Sequence, residues 1–188
     1  MVRFLVLIGL AGLVGVLSAN YVVQGRAGLV NRTSGQWVWW PNAGSTTIDP
    51  YTRFHFVALG RLPMSKFETF EIETAQDKAG RPLSVDCTYQ LNGRIPEARW
   101  WSLASYVPDG NIDSASPEFS LSAHDVIAED DGSVVITISS EIRAGNWIKP
   151  AGDDEFTLLL RLYNPVSGLG SAAALSGEMP SVIRQGCR

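Results

Sequence analysis

Histidine and cysteine, the residue types that most often exchange protons, attack substrates or ligate metals, are scarce in this sequence. They occur only as His55, His124, Cys87 and Cys187. Catalysis needs such groups within hydrogen-bond reach of one another, and neither a Gly-x-Ser-x-Gly elbow nor a His-Glu-x-x-His pair is present. The sequence therefore predicts no catalytic residue, no metal-ligand set and no cofactor.

A second group of residues has the chemistry of a binding surface. Alternation along one strand-like run puts Arg99 and Trp101 on the same face. With Arg161 and Tyr163 from a neighbouring strand, they could form an arginine and aromatic cluster that binds a sugar, a carboxylate or a peptide. The alternative is that the rings belong to the core and that each arginine pairs with an acidic residue at the edge of the fold.

The elements that would position these residues are mostly strands. After Pro63 the apolar residues alternate or form short runs between turn residues, which is typical of β-structure. The predicted strands cover residues 67–72, 85–91, 99–107, 134–140 and 156–163. The last run is apolar on both faces, as expected for a central strand that is covered on two sides. Five or more strands with one helix predict a mainly β fold, either an antiparallel β-sandwich or a jelly roll.

One short helix is predicted before these strands. Asp49 can accept hydrogen bonds from the free N–H groups of a first turn, and Pro50 suits the first helical position. Apolar residues then recur at helical spacing: Tyr51, Phe54, Ala58 and Leu62. We expect an amphipathic helix that ends near Pro63 and packs on the domain through this aromatic side.

The N-terminal segment from Phe4 to Val23 is apolar over the roughly 20 residues that a helix needs to cross a bilayer. The alternative is a cleaved signal peptide, for which Leu17-Ser18-Ala19 is a poor cleavage site because leucine occupies a position that favours a small residue. Arg3 favours a cytoplasmic N-terminus. We therefore expect a single-pass inner-membrane anchor with the domain on the outer side.

Three segments follow from this pattern. Residues 1–25 form the transmembrane anchor or signal peptide, residues 26–48 a tether and first strand, and residues 49–188 the β-sandwich domain. Three tryptophans lie within the tether: Trp37, Trp39 and Trp40. They could form an aromatic belt at the membrane interface or belong to a paired first strand.

The charge balance excludes several classes of protein. The 188-residue chain has 15 lysines and arginines against 19 acidic residues, a net charge of −4. No dense basic stripe is present to neutralise phosphates, which excludes a basic nucleic-acid binder. A single long apolar segment excludes a channel or transporter with several spans.

The two cysteines bear on the compartment. Cys87 lies in a strand-like run and Cys187 is the penultimate residue. In an oxidising compartment two remaining thiols favour a disulfide, which would close a long loop and stabilise the fold by about 2–4 kcal/mol. The alternative is two unpaired thiols.

Several short motifs together resemble the bacterial domain-of-unknown-function family 1214 over residues 49–188. They are Gly80-Arg81-Pro82-Leu83, Cys87-Thr88-Tyr89, Ala98-Arg99-Trp100-Trp101-Ser102-Leu103, Asn146-Trp147 and Leu160-Arg161-Leu162-Tyr163-Asn164-Pro165. The resemblance implies a β-sandwich of jelly-roll type, in the short membrane-anchored form that has a terminal cysteine such as Cys187. It implies no particular activity.

These features predict a membrane-anchored module of the bacterial cell envelope that faces the periplasm and binds or assembles without catalysis. Its expected partners are the inner membrane, through residues 4–23, and an envelope protein or a cell-wall component; nucleic acid is excluded. The alternative is a metal-dependent enzyme with its site in the jelly-roll interior. That enzyme would need His55 and His124, or one of them with several carboxylates, to converge.

Overall fold

A computed structural model describes residues 1–23, 30–108, 117–165 and 179–188. The helices and strands in these ranges are α1 (Val2–Val23), β1 (Arg32–Ser34), β2 (Trp37–Trp39), α2 (Pro50–Ala58), β3 (Thr69–Thr74), β4 (Cys87–Gly93), β5 (Ala98–Tyr106), β6 (Ser120–Ser122), β7 (Val134–Ile138), β8 (Trp147–Ile148), β9 (Thr157–Pro165) and β10 (Ser181–Cys187). A single 3-10 turn, Pro117–Phe119, precedes β6.

The strands form two sheets. The order is β1-β2-β3-β9-β5-β6 in the six-stranded sheet and β10-β4-β7-β8 in the four-stranded sheet. Neighbours are antiparallel except for β7 and β8, which are parallel. One core cluster takes side chains from both sheets, such as Leu160 from the first and Tyr89 from the second. The predicted mainly β sandwich is confirmed, and successive strands cross repeatedly between its sheets, as in jelly-roll domains.

The five predicted runs correspond to β3, β4, β5, β7 and β9, each displaced by at most a few residues. Strand β9 lies between β3 and β5, and Leu158, Leu159 and Leu160 are all buried, so the prediction of a central strand covered on two sides is confirmed. The prediction missed β1, β6, β8 and β10. Three of these have only two or three residues, and β10 is an edge strand whose one buried side chain is Val182.

The sandwich begins before the expected boundary at residue 49. Strands β1 and β2 pair with each other, and Val38 pairs with Glu73 of β3, so residues 32–39 belong to the six-stranded sheet. Trp37 and Trp39 are 1% and 0% exposed. The interpretation as a membrane-interface belt is therefore wrong, because these rings lie in the core instead of facing outwards.

The predicted start of α2 is confirmed. The Asp49 carboxylate accepts hydrogen bonds from the N–H groups of Tyr51 at 3.1 Å and Thr52 at 2.9 Å, and Pro50 is the first helical residue. These bonds satisfy donors that have no partner within the helix.

The predicted packing side of α2 is wrong. Tyr51, Phe54 and Leu62, which were expected to face the domain, are exposed, and the buried helix residues are Thr52 and Phe56. The reason lies outside the helix. The ring of Trp40 lies edge-on to Phe56 and stacks on His55 at 4.2 Å; these contacts set the rotation of α2.

Among the described residues one helix, Val2–Val22, is long and apolar enough to cross a membrane. The apolar stretch of this helix is not buried inside the folded chain. By length and composition it is a membrane span or a signal sequence.

The predicted disulfide is present. Cys87 in β4 and Cys187 in β10 are bonded, and they lie directly opposite each other on neighbouring strands. The bond fastens the last strand of the chain to an inner strand of the four-stranded sheet.

Candidate functional site

Arg161 lies on the outer face of the six-stranded sheet and is held there by two neighbours. Its Nε donates to Glu71 at 2.7 Å, and its Nη1 donates to the hydroxyl of Tyr106 at 3.0 Å. Burial alone would lower the pKa of Arg161, but the charge and hydrogen bond of Glu71, together with smaller effects of Tyr106 and Tyr163, outweigh burial and the pKa is raised. Arg161 therefore pairs with an acidic residue, which was the alternative expectation for the arginines of this cluster.

Tyr163 is two positions further along the same face. It lies directly opposite Trp100 of β5, and the two ring centroids are 4.8 Å apart. Both rings are partly exposed. They therefore form a small aromatic surface beside the Arg161 ion pair.

The four residues predicted as a binding cluster do not come together. Trp101 lies opposite Leu162, which is fully buried, and packs against the core between the sheets. Arg99 is two residues before Trp101 in β5, so both side chains lie on the same face of the strand. Arg99 is exposed. The register therefore places Trp100, not Trp101, beside Tyr163. A binding role for any one of Arg99, Trp101, Arg161 or Tyr163 stays a prediction.

A second ion pair lies on the outer face of the same sheet. Arg61, which follows α2, donates to Glu73 of β3 at 2.7 Å. Burial raises the pKa of Glu73 above its ordinary value, although the Arg61 guanidinium opposes this change. The contact fastens the segment after α2 to the six-stranded sheet.

The histidines lie in different settings. His55 is in α2, against Trp40, and His124 is exposed in the turn after β6, beside Asp125. Within the described ranges, no three histidine, cysteine, aspartate or glutamate side chains are grouped as a metal ion would require. This part of the chain offers no observation in favour of the metal-enzyme alternative.

Sequence reasoning missed a groove on the outer face of the four-stranded sheet. The groove has a volume of about 770 Å³. Polar side chains from three strands form its floor: Thr88, Gln90, Thr137 and Gln185. They face outwards because their neighbours in sequence, such as Tyr89 and Ile136, fill the core. The only signal in the sequence was this polar alternation, which any solvent-facing strand also shows.

Charged side chains and the disulfide form the rim of the groove. Glu141 accepts hydrogen bonds from Arg143 at 3.1 Å and from Arg188. The backbone N–H of Arg188 donates to the carbonyl of Asp86 at 3.0 Å. Since Cys187 is bonded to β4, its neighbour Arg188 is held at the rim. The groove therefore has a polar floor and a rim of both charges.

Residues 68–167, more than half of the chain, match the sequence model of a family described as a protein of unknown function, DUF1214. The protein belongs to the DUF1214 family. The matched residues include β3 to β9 and most of the groove floor. None of the curated proteins matches the sequence of this DUF1214 protein.

Two solved structures are similar to the DUF1214 protein. The crystal structure of the VPA0106 protein from Vibrio parahaemolyticus has a TM-score of 0.58 and 17% identity, over 73% of this chain and 36% of that one. An uncharacterised protein from Burkholderia cenocepacia has a TM-score of 0.43 and 19% identity, over 64% of this chain and 30% of that one. The chain spans about a third of the length of these structures. The first likeness supports the fold alone.

Proposed function

We propose that this DUF1214 protein is a non-catalytic binding module of the bacterial cell envelope. Helix α1 anchors it in the inner membrane, the sandwich faces the periplasm, and the groove of the four-stranded sheet binds a cell-wall glycan. The observation that supports binding is the groove itself, a space of about 770 Å³ with hydrogen-bonding side chains along its floor. Ligand sites typically have volumes of about 300–1,000 Å³.

Two features support the proposed compartment. Helix α1 is apolar along its length, and Arg3 at its start favours a cytoplasmic N-terminus. The Cys87–Cys187 bond is of the kind that persists in oxidising compartments such as the bacterial periplasm.

The chemistry of the floor favours a ligand rich in hydroxyl groups. Thr137 carries a hydroxyl and Gln185 a carboxamide, and each can both donate and accept hydrogen bonds. Sugar hydroxyls also do both, whereas an apolar ligand would leave these groups without partners. At the rim, Arg143 and Arg188 each donate to Glu141 through one nitrogen; their other N–H groups can pair with a carboxylate of a wall sugar or its peptide.

Binding can be tested with full-length protein in detergent and a soluble cell-wall fragment, the N-acetylglucosamine–N-acetylmuramic acid disaccharide with its peptide. Calorimetry should detect saturable binding to the wild type. Gln185→Ala and Thr137→Val should each weaken it roughly three- to ten-fold, the effect of one hydrogen bond. Gln76→Ala removes an exposed glutamine outside the groove and should have no effect. Absence of binding, or equal weakening by Gln76→Ala, would refute the glycan site.

The anchor is tested separately. Full-length protein should stay with membranes after carbonate extraction, and added protease should digest the sandwich in spheroplasts but not in intact cells. Release by carbonate would show that α1 is cleaved, and protection in spheroplasts would place the domain in the cytoplasm.

A further inference from the structure

Helix α2 and the segment that follows it expose an unusual amount of apolar surface. Large apolar side chains point outwards along residues 50–67: Tyr51, Phe54, Val57, Leu62, Met64 and Phe67. Leu62 and Phe67 are 89% and 82% exposed. We call these six residues the α2 surface. Single exposed apolar residues are common, but contiguous apolar surface marks a contact site.

The opposite side of the helix fixes this orientation. Thr52 and Phe56 are 0% and 3% exposed and pack on the domain. Beyond the helix, the Arg61–Glu73 ion pair and a bond from the Lys66 N–H to the Gly44 carbonyl at 3.4 Å hold the segment in place. The outward direction of the α2 surface is therefore set by the fold.

The charged residues within this segment are basic. Residues 50–67 contain Arg53, Arg61 and Lys66 but no aspartate or glutamate. Asp49 and Glu68 flank the segment, and Arg61 is paired with Glu73. Arg53 and Lys66 are exposed, and the Lys66 ammonium lies 5.4 Å from the centroid of the Phe67 ring. Basic residues beside exposed aromatic and aliphatic side chains are typical of segments that lie in the interface of an anionic bilayer.

The position of the α2 surface points to the same partner. Val22 near the end of α1 and Tyr51 in the first turn of α2 line one cleft of about 540 Å³. Helix α2 thus begins beside the point where the apolar helix ends. If α1 spans the membrane, the first turn of α2, with Tyr51, lies near the depth of the lipid headgroups.

We propose that the α2 surface docks on the periplasmic leaflet of the inner membrane, with its apolar side chains among the lipid chains and Arg53 and Lys66 at anionic headgroups. This proposal rests on the proposed membrane anchoring by α1. Docking adds a second contact to the single helix and fixes the orientation of the sandwich over the bilayer.

The test uses full-length protein reconstituted into vesicles that contain phosphatidylglycerol. Phe54→Cys is labelled with an environment-sensitive NBD dye; the native cysteines are bonded to each other and do not react. Ile142→Cys is the control, since Ile142 in the loop after β7 is also an exposed apolar side chain, 79% exposed against 57% for Phe54. Docking predicts blue-shifted emission at position 54 and several-fold stronger quenching by lipid-bound quenchers than at position 142. Equal quenching at the two positions would overturn the proposal.

Charge reversal supplies a second test. Arg53→Glu and Lys66→Glu each change the charge by two, so each should reduce the ratio of docked to undocked domain by at least about five-fold in phosphatidylglycerol vesicles. The wild type should dock more weakly on pure phosphatidylcholine. The blue shift at position 54 could also arise if a second copy of the protein covers the surface. In that case the shift would depend on the number of protein molecules per vesicle at a fixed lipid composition, and this result would overturn docking. Carbonate extraction of the same vesicles reports on the anchor independently, so failure of the anchor is distinguishable from failure of docking.

Discussion

The indole Nε1 of Trp37 donates a hydrogen bond of 2.6 Å to the backbone carbonyl of Pro180. Trp37 lies in β2 of the six-stranded sheet, and Pro180 directly precedes β10 of the four-stranded sheet. Both residues are buried. The bond therefore joins the two layers of the sandwich and connects residues that are 143 positions apart in the chain.

Trp37→Phe should remove this bond while keeping an aromatic ring in the core. We expect a loss of about 1–3 kcal/mol in the free energy of unfolding, because the buried Pro180 carbonyl keeps only the longer bond from the Gln36 carboxamide, 3.5 Å. Urea unfolding, monitored by circular dichroism, measures this free energy. Trp147→Phe is the control, since its indole bond to the Ser139 carbonyl stays within one sheet and is partly exposed; an equal loss in both variants would contradict the special role of Trp37.

Asp77→Asn tests a buried carboxylate that orders the connection between β3 and β4. Asp77 is buried and pairs with Arg81 at 2.8 Å and with Arg184 of β10 at 3.2 Å. Burial acts to raise the pKa of Asp77, but hydrogen bonds from Arg81 and from the Ala79 N–H outweigh it, so the pKa is lowered. We expect Asp77→Asn to cost about 1–3 kcal/mol at neutral pH.

The same variant should change the pH dependence of stability. Because the folded-state pKa of Asp77 lies below its unfolded value of about 3.9, its contribution is complete above the unfolded value and is lost as the pH falls through the folded value. The difference in unfolding free energy between wild type and Asp77→Asn should thus shrink below about pH 4. A difference that stays constant down to pH 2 would show that the charge of Asp77 does not matter.

Gly44→Ala should loosen the support of the α2 surface. Gly44 has a φ of +67°, and a Cβ at this position would overlap the backbone carbonyl of Met64. Gly35→Ala is a matched control with a φ of +58° and open space around it. A positive φ costs alanine about 1–2 kcal/mol in both variants. Thermal unfolding should therefore show a larger loss of stability for Gly44→Ala, because in this variant the Met64 backbone must also move.

Replacing both cysteines by serine, Cys87→Ser with Cys187→Ser, should abolish the difference in gel mobility between reducing and non-reducing conditions. It should also lower the free energy of unfolding by about 2–4 kcal/mol, since the bond restricts a long loop in the unfolded chain. Wild type treated with reductant serves as the comparison. If the wild type shows no mobility difference, the cysteines are not bonded in the cell.

Local patterns predicted the features that depend on neighbouring residues. The apolar run of β9, the cap at Asp49 and the strand at Cys87 were all predictable from a few adjacent positions. The rotation of α2 was not, because Phe54 and Phe56 are both plausible core residues and the distant ring of Trp40 decides between them. The relative placement of the four proposed binding residues was not predictable for a similar reason: a shift of one residue in the pairing of β5 exchanges Trp100 for Trp101 beside Tyr163.

The pairing of β10 with β4 has a consequence for how the chain is made. Synthesis proceeds from the N-terminus, and Cys187 is 100 positions later than Cys87. One edge of β4 therefore has no partner until β10 has been synthesised, and unpaired edges are prone to join other chains. The four-stranded sheet is completed, and its disulfide can form, only at that stage of synthesis.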